Sequence, residues 1–421
     1  MSPRPVQVVF ASVAAGGGHH TVRDALLRAA QAADPRGERV RAASWTSEAG
    51  FDGFYRWCVR HGLQGLMYLP TRFLSFAAWL AVFANPKLIR DAVALLRRAP
   101  PDLVVSTHLV LTSAFLIARW WVGVPTRVVG VIPDYGPPDP AFFPRSSVFR
   151  PDATWVNGED TYRWIAEWGR ASPGEVQLLG TVVTEDFSRV REELALAGGR
   201  TVALKTAWRA RLQQDWPGMA RVDVTKPTVA FYGGSGFSGA ARPVVDRLLS
   251  SEDSSRFNVV VLCGRDDRLR ASLNAAYGDR PGFAALGFLA HPLLAALYGL
   301  TDVPVMGSLA HSTLQELLET AAGPLLVFRV IPGTEPPYLD YLARERLGVF
   351  EPEVERMTAL VRAGVGLSPA RQWTELADGY ALRAWAVRDA SLERAGRILE
   401  LLTRAARHPA LSPGASIDHA A

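Results

Sequence analysis

The sequence contains few cysteines. Cys58 and Cys263 are the two in 421 residues, and they lie far apart, in no spacing typical of a metal site. We therefore expect neither a disulfide framework nor a zinc site, and a reducing cytoplasm is the expected compartment. Long apolar runs are lacking as well. The uninterrupted apolar run Phe73–Ala84 is shorter than the roughly 20 residues that a helix needs to span a bilayer.

A large excess of charge is also absent, since 46 basic and 41 acidic residues leave a net charge of +5. This weak excess suits contact with phosphates or an anionic membrane surface, and it does not indicate nucleic-acid binding. No stripe of interleaved aromatic and basic residues suggests a single-strand binder. The apolar run after Arg4 resembles a signal peptide, but it continues into a glycine turn and a helix start, so we expect no leader.

What the sequence does contain is typical of a folded α/β protein in two domains, with 48% apolar and 21% charged residues. Short apolar runs alternate with helical patterns, which predicts doubly wound, mostly parallel sheets. The predicted strands are Val8–Val13, Val40–Trp45, Asp102–Ser106, Thr126–Ile132, Ala153–Val156, Gln177–Gly180, Pro227–Tyr232, Asn258–Cys263, Ala284–Leu286, Val303–Met306 and Pro324–Phe328.

The pattern of strands also predicts the domain boundaries. We expect an N-terminal Rossmann-like domain over 1–184 and, after a helical linker or insertion over 185–226, a second such domain over 227–380. The amphipathic segment 381–408 is expected to form a helix that packs back towards the first domain. The small, polar residues 409–421 are expected to be disordered.

The segment Val6–Leu27 combines a strand, three glycines, two histidines and the start of a helix. This order brings backbone N–H groups and the imidazoles of His19 and His20 together at the start of the helix. The helix dipole there disfavours the imidazolium, and a neutral imidazole is suited to act as a general base. For two histidines alone, a helix cap or a surface position would be the better explanation, but His108 and Asp134 also follow predicted strands and would converge on the same rim.

A second glycine turn, Gly233–Gly236, also lies between a strand and a helix, where it could hold a diphosphate through backbone N–H groups. Taken alone the turn is a weak motif, because a packing turn explains it nearly as well. It is not the GxGxxG of a dinucleotide site.

The segment Ser312–Glu316 (STLQE) places hydroxyl groups at a predicted helix start. A capping box of Ser312 with Gln315 is the simplest explanation. Capping does not require Glu316, however, and its carboxylate would suit two vicinal ribose hydroxyls. Glu335, after a Pro-Gly turn, is a second such acid.

The aromatic-rich segment Gly50–Ala84 is predicted to be helical. A buried helix or packing surface is the simpler interpretation of its apolar run. The alternative is an exposed apolar lip over Leu66–Phe83 that docks on a membrane or holds a hydrophobic acceptor.

Together these stretches resemble the GT-B glycosyltransferases of the monogalactosyldiacylglycerol synthase type, which are related to the transferase that adds N-acetylglucosamine to undecaprenyl-linked muramyl pentapeptide. Seven motifs carry the resemblance, in family order: GGGHHTVRDAL (Gly16–Leu26), PDLVVSTH (Pro101–His108), GGSG (Gly233–Gly236), VVVLCGR (Val259–Arg265), GF (Gly287–Phe288), STLQE (Ser312–Glu316) and IPGTE (Ile331–Glu335).

The resemblance implies a GT-B fold with the active site in the cleft between two Rossmann-like domains. It implies an inverting transferase with a nucleotide-sugar co-substrate, no cofactor and no metal. We expect His19 and Asp134 to be the catalytic residues, with His19 as the base and Asp134 or His108 positioning the acceptor or supporting His19. The acceptor-binding residues would be Gly17, Gly18 and His108. The donor-binding residues would be Gly233, Gly234, Ser235, Gly236, Arg265, Phe288, His311, Ser312, Thr313, Glu316 and Glu335. The preference for His19 over His20 depends on family spacing.

The chain departs from the family pattern at two places. The loop Ser308–His311 stands where family members carry a Lys-Pro-Gly loop. His311 is then the candidate to replace the lysine as a hydrogen-bond donor to the diphosphate. Near the acceptor, Pro133-Asp134 replaces Thr-Asp and Asp139-Pro140 replaces His-Pro.

We therefore expect transfer of a hexosyl group from a UDP-sugar to a hydroxyl of a lipid, such as a diacylglycerol, or of another hydrophobic acceptor. The expected location is cytoplasmic, with peripheral contact at the inner face of the plasma membrane. A tailoring glycosyltransferase, a nucleotide-sugar epimerase and a non-catalytic GT-B homologue remain alternatives.

Overall fold

The computed structural model describes residues 4–13, 17–47, 82–83, 85–135, 150–167, 176–233, 241–330 and 335–407. The chain divides into two units. Unit 1 comprises Met1–Val182 with Ala390–Ala421, and unit 2 comprises Val183–Asp389.

Unit 1 is built on a six-stranded parallel sheet. Its strand order is β2-β1-β3-β4-β5-β6, so the order along the sheet reverses between β1 and β3. Ligands of open α/β sheets bind outside the carboxyl ends of the strands at such a reversal. The strands are β1 (Val6–Val13), β2 (Val40–Ser47), β3 (Leu103–Ser106), β4 (Arg127–Ile132), β5 (Ala153–Val156) and β6 (Val176–Leu178).

Unit 2 contains a second six-stranded parallel sheet, ordered β12-β11-β10-β7-β8-β9, with its reversal between β7 and β10. The carboxyl ends of those two strands are therefore the expected ligand-binding edge of this unit. The strands are β7 (Thr228–Tyr232), β8 (Asn258–Leu262), β9 (Phe283–Leu286), β10 (Val303–Met306), β11 (Leu325–Val327) and β12 (Gly348–Phe350).

Helices follow most strands, as expected for doubly wound sheets. They are α1 (Gly17–Ala33), α2 (Pro86–Arg98), α3 (Leu109–Val122), α4 (Glu159–Glu167), α5 (Glu185–Ala197), α6 (Val202–Asp215), α7 (Arg242–Leu249), α8 (Asp267–Tyr277), α9 (His291–Leu300), α10 (His311–Glu319), α11 (Pro336–Arg344), α12 (Val354–Gly364), α13 (Arg371–Ala377), α14 (Tyr380–Ala395) and α15 (Ile398–Arg407).

The core of unit 1 fills both faces of its sheet because successive strand residues point to opposite sides. Leu103 and Val105 pack with α1 and with Leu402 of α15 on one face. Val104 packs with Phe115 of α3 and with α2 on the other. Burial on both faces explains why these strands have continuous apolar sequences.

The segment 185–226, expected to connect the domains, is part of unit 2. It forms α5, α6 and a 3₁₀ turn over Pro217–Arg221. Trp208 of α6 is fully buried against Gly299 of α9, where an added Cβ would lie 2.8 Å from the indole. Arg200 donates to the main-chain oxygens of Gly299, Thr320 and Ala321, which fixes the segment to the ends of α9 and α10.

Each predicted strand is present, with its bounds within two residues of the predicted ones. The short strand β12 was not predicted, since its three residues follow a left-handed turn at Arg346 (φ 53°) and carry little pattern.

Most of Gly50–Ala84 lies outside the described residues, as do Cys58 and the tail 409–421. Among the helices of the described ranges, none is long and apolar enough to cross a membrane.

Candidate active site

His19 lies in the first turn of α1, directly after the carboxyl end of β1. Its Nδ1 is 2.6 Å from the main-chain oxygen of Thr107, which follows β3. A carbonyl oxygen can only accept, so Nδ1 carries the proton and Nε2 carries the lone pair. The imidazole therefore has its basic nitrogen fixed by the fold. Gly17 and Gly18 open the same helix and contribute N–H groups at its start.

His20 has a different environment from its neighbour. Its Nδ1 is 2.8 Å from Oγ of Ser12, a fully buried residue of β1. Arg23 donates to the same Oγ at 2.9 Å, so the Ser12 hydroxyl hydrogen can point towards His20. His20 thus helps to attach α1 to the sheet. The choice of His19 over His20 as the base stays a prediction.

His108 lies beside His19 with the two ring centroids 4.6 Å apart, in an edge arrangement. It is the N-cap of α3, and its Nδ1 accepts a hydrogen bond from the Val110 N–H at 3.2 Å. Burial holds the pKa of His108 well below its usual value, and the neighbouring His19 lowers it further. Both rings are therefore neutral at pH 7.

Burial is also the largest cause of the lowered pKa of His19. The sequence predicts a neutral His19 from the helix dipole, whereas desolvation has the larger effect in the structure. The Asp134 carboxylate and the Thr107 hydrogen bond act in the opposite direction and raise the pKa. Asp134 follows β4 and is exposed, and its main-chain oxygen accepts from Thr161 at 3.1 Å. It can therefore stabilise an imidazolium once His19 has taken a proton.

In unit 2, α10 begins at His311, with Ala310 as its N-cap and no side-chain cap. The expected capping box of Ser312 with Gln315 is therefore wrong, because both residues lie inside the helix. Gln315 instead accepts from Arg388 at 2.8 Å. Ser312 and Thr313, in the first turn, are half-buried and lie among N–H groups that have no partner within the helix.

Glu316 is 4% exposed and lies one turn along α10 from Thr313. Burial raises the pKa of its carboxyl to about 8, although the Tyr298 hydroxyl and the charge of Arg388 act to lower it. Glu335 is equally buried and accepts from the Ser308 hydroxyl at 2.6 Å. Ser308 belongs to the loop that departs from the family pattern, so this loop is tied to a predicted donor residue.

The other predicted donor residues also follow strands of unit 2. Gly233 follows β7, and Arg265 and Phe288 follow β8 and β9. The Arg265 guanidinium lies 5.2 Å from the centroid of the Phe288 ring, which is 62% exposed. His311 is buried at the start of α10. Gly234, Ser235, Gly236 and the turn 331–334 lie outside the described residues.

Three residues that support these groups were missed by sequence reasoning. Thr107 acts through its main-chain oxygen, which no side-chain motif reveals. Tyr298 and Arg388 contact α10 from distant parts of the chain. Their sequence contexts are typical of ordinary helices, and only the fold brings them to the site.

Comparisons with known proteins add little at the sequence level. No family model matches the chain. A processive diacylglycerol beta-glucosyltransferase of Staphylococcus epidermidis is 30% identical over 80 residues. That stretch is 19% of this chain and 20% of the relative, so the chain matches about a fifth of the length of that curated protein.

Solved structures are similar over nearly the whole chain. A UDP-GlcNAc 2-epimerase from Neisseria meningitidis, bound to UDP-GlcNAc, has a TM-score of 0.58 at 11% identity, covering 95% of this chain and 99% of that one. The glycotransferase of kitacinnamycin has 0.57 at 15%, covering 96% and 100%. A glycosyltransferase from Rickettsia africae has 0.58 at 9%, covering 96% and 100%.

The fold is GT-B. The two parallel six-stranded sheets with flanking helices match this two-domain Rossmann-like architecture, and the predicted fold class is confirmed. At these identities the likeness concerns the fold alone. The more specific resemblance to the monogalactosyldiacylglycerol synthase type, the active-site cleft and the roles of the individual site residues stay predictions.

Glu316 makes the stability of the protein depend on pH. Between pH 4.5 and 8 the folded chain keeps a proton on this carboxyl that the unfolded chain has lost. The contribution of this group to the free energy of unfolding should therefore fall as pH rises, by about 1 kcal/mol per pH unit, and level off above pH 8. Urea unfolding at several pH values should show this slope in the wild type relative to Glu316→Gln. Parallel pH profiles for the two proteins would contradict the assignment.

Proposed function

We propose that this chain is an inverting glycosyltransferase that moves a hexosyl group from a UDP-sugar to a hydroxyl of a hydrophobic acceptor. The observation that carries the proposal is the His19 imidazole, whose Nδ1 bonds to the Thr107 main-chain oxygen so that Nε2 is its basic nitrogen, beside the His108 ring. Burial lowers the pKa of this imidazole, and the Asp134 carboxylate acts to raise it. A base of this kind is what deprotonation of an acceptor hydroxyl requires.

In the proposed reaction His19 Nε2 removes the proton of the acceptor hydroxyl. The acceptor oxygen attacks the anomeric carbon of the donor as the bond from that carbon to the diphosphate oxygen breaks, which inverts the anomeric centre. UDP leaves with the bonding electron pair. Asp134 stabilises the imidazolium, and the N–H groups of Gly17 and Gly18 with His108 orient the acceptor.

On the donor side, negative charge develops on the leaving diphosphate. The first turn of α10 offers N–H groups and the hydroxyls of Ser312 and Thr313, in line with the positive end of the helix dipole. The proposed role of the turn Gly233–Gly236, of Arg265 and of His311 is to bind the same diphosphate. No metal is required in this account, because these donors stabilise the charge.

The remaining donor residues have roles suited to the nucleotide and the sugar. The Glu316 carboxyl is proposed to bind the ribose hydroxyls, the Phe288 backbone the uracil edge and Glu335 the sugar. Glu316 and Glu335 are both 4% exposed, so a bound hydroxyl would face little competition from water.

A lipid acceptor, such as a diacylglycerol, is the favoured choice within this proposal. The 80-residue match to a diacylglycerol glucosyltransferase points in that direction. The apolar segment Leu66–Phe83 does too, although all of it except Val82 and Phe83 lies outside the described residues. The tryptophans Trp120 and Trp121, at the end of α3, are 61% and 64% exposed and would suit a membrane interface.

Transfer assays with purified protein test the proposal directly. A matrix of UDP-sugars with diacylglycerol micelles and soluble acceptors should give a glycosylated product by mass spectrometry. His19→Ala should lower the transfer rate by about 100-fold or more and leave UDP binding intact, because only the base is lost. His20→Ala is the matched control and should change the rate far less.

Other outcomes would lead to other conclusions. A nucleotide-sugar converted to its epimer without an acceptor would identify an epimerase. Glycosylation of soluble acceptors alone would indicate a tailoring enzyme. Nucleotide binding without turnover would indicate a non-catalytic homologue, and a melting temperature unchanged by any nucleotide would contradict the donor site.

Membrane contact can be tested separately by co-sedimentation with phosphatidylglycerol vesicles. Replacing Trp120 and Trp121 together with serine should weaken vesicle binding by about tenfold or more, since two large apolar side chains are removed. Trp164→Ser is the matched control, because Trp164 of α4 is 41% exposed in the same unit. Equal losses in the two variants would contradict a specific role for the pair.

A further inference from the structure

Tyr298 of α9 lies next to the predicted donor residues of α10. Its side chain is 1% exposed, and its hydroxyl donates to Oε2 of Glu316 at 3.4 Å. Thr313 lies three positions before Glu316 on the same helix, so the two side chains share a face. The Tyr298 hydroxyl therefore contacts α10 on the face that carries both predicted donor residues.

The ring of Tyr298 is held on two sides by other aromatic residues. It stacks on Phe187 of α5 with the centroids 5.6 Å apart, and it meets Tyr232 of β7 edge-on at 5.0 Å. Such contacts fix the orientation of a buried ring. The position of the hydroxyl is thus set by the packing of unit 2, independently of Glu316.

The helix that carries Glu316 is fixed by other contacts. Arg388 of α14 is fully buried and donates to Gln315 and to Glu319, both at 2.8 Å. Trp385 donates to the main-chain oxygen of Glu319 at 3.1 Å. The backbone of α10 is therefore held without Tyr298, and the contacts of Tyr298 with α10 determine side-chain orientation instead.

We propose that Tyr298 is a positioning residue that orients the Glu316 carboxyl to receive the vicinal hydroxyls of a ribose. This inference rests on the proposed function. With Oε2 held by the phenol, Oε1 has a fixed direction, and the carboxyl cannot rotate to suit a sugar that lacks one hydroxyl. A buried carboxyl with one acceptor direction left unused binds such a sugar poorly, so the arrangement selects ribose over deoxyribose.

Calorimetric titration of the full chain with UDP and with 2′-deoxy-UDP tests this role. The wild type should bind UDP about tenfold more tightly than 2′-deoxy-UDP. Tyr298→Phe should weaken UDP binding and leave 2′-deoxy-UDP binding nearly unchanged, so that the preference shrinks. Tyr232→Phe is the control, since that hydroxyl hydrogen-bonds to Thr301, which lies outside α10, at 2.6 Å.

A double-mutant cycle with Glu316→Ala, which removes both carboxyl oxygens, separates positioning from a merely structural role. If Tyr298 acts through Glu316, Tyr298→Phe should have no further effect on UDP binding in the Glu316→Ala background. An equal loss in both backgrounds, or an unchanged preference in Tyr298→Phe, would overturn the inference and leave the proposed function intact. Failure of the wild type to bind UDP would overturn both.

Discussion

The hydrogen bond between His19 Nδ1 and the Thr107 main-chain oxygen is the contact on which the proposed chemistry of unit 1 depends. It joins the first turn of α1 to the end of β3, across the point where the strand order reverses. Because a carbonyl oxygen is the partner, the bond determines which imidazole nitrogen is basic. Burial lowers the pKa of that imidazole and so favours its neutral form, and the negative charge of Asp134 stabilises the protonated form. This one hydrogen bond to the backbone thus makes His19, in an ordinary strand–turn–helix unit, a candidate base.

Unit 2 contains the same kind of parallel sheet, but the groups at its strand ends suit a different chemical task. Its strand ends lead to the N-terminus of α10, where N–H groups and hydroxyls suit an anion, and to two buried acids that suit sugar hydroxyls. Buried residues from elsewhere in the unit, among them Tyr298 and Arg388, hold these groups in place. The two related sheets therefore carry different parts of a transfer reaction in the proposed account.

The sequence predicts the fold well because apolar runs and glycine turns are local signals. Parallel strands place their carboxyl ends together, which is why His19, His108 and Asp134 could be grouped without a structure. The capping box at Ser312 could not be judged from sequence, since Arg388, the partner that holds Gln315, lies 73 residues away. The attachment of the segment 185–226 to unit 2 depends on contacts of the same kind, since the burial of Trp208 against α9 is long-range.

The proposed chemistry requires His19 to be a neutral imidazole with its lone pair on Nε2. Nitrogen NMR of ¹⁵N-histidine-labelled protein over a pH range measures both properties, with the His19 signals assigned from the spectrum of His19→Ala. We predict the Nδ1–H tautomer and a pKa below the ordinary value of 6.5. An Nε2–H tautomer, or a pKa above 6.5, would contradict it.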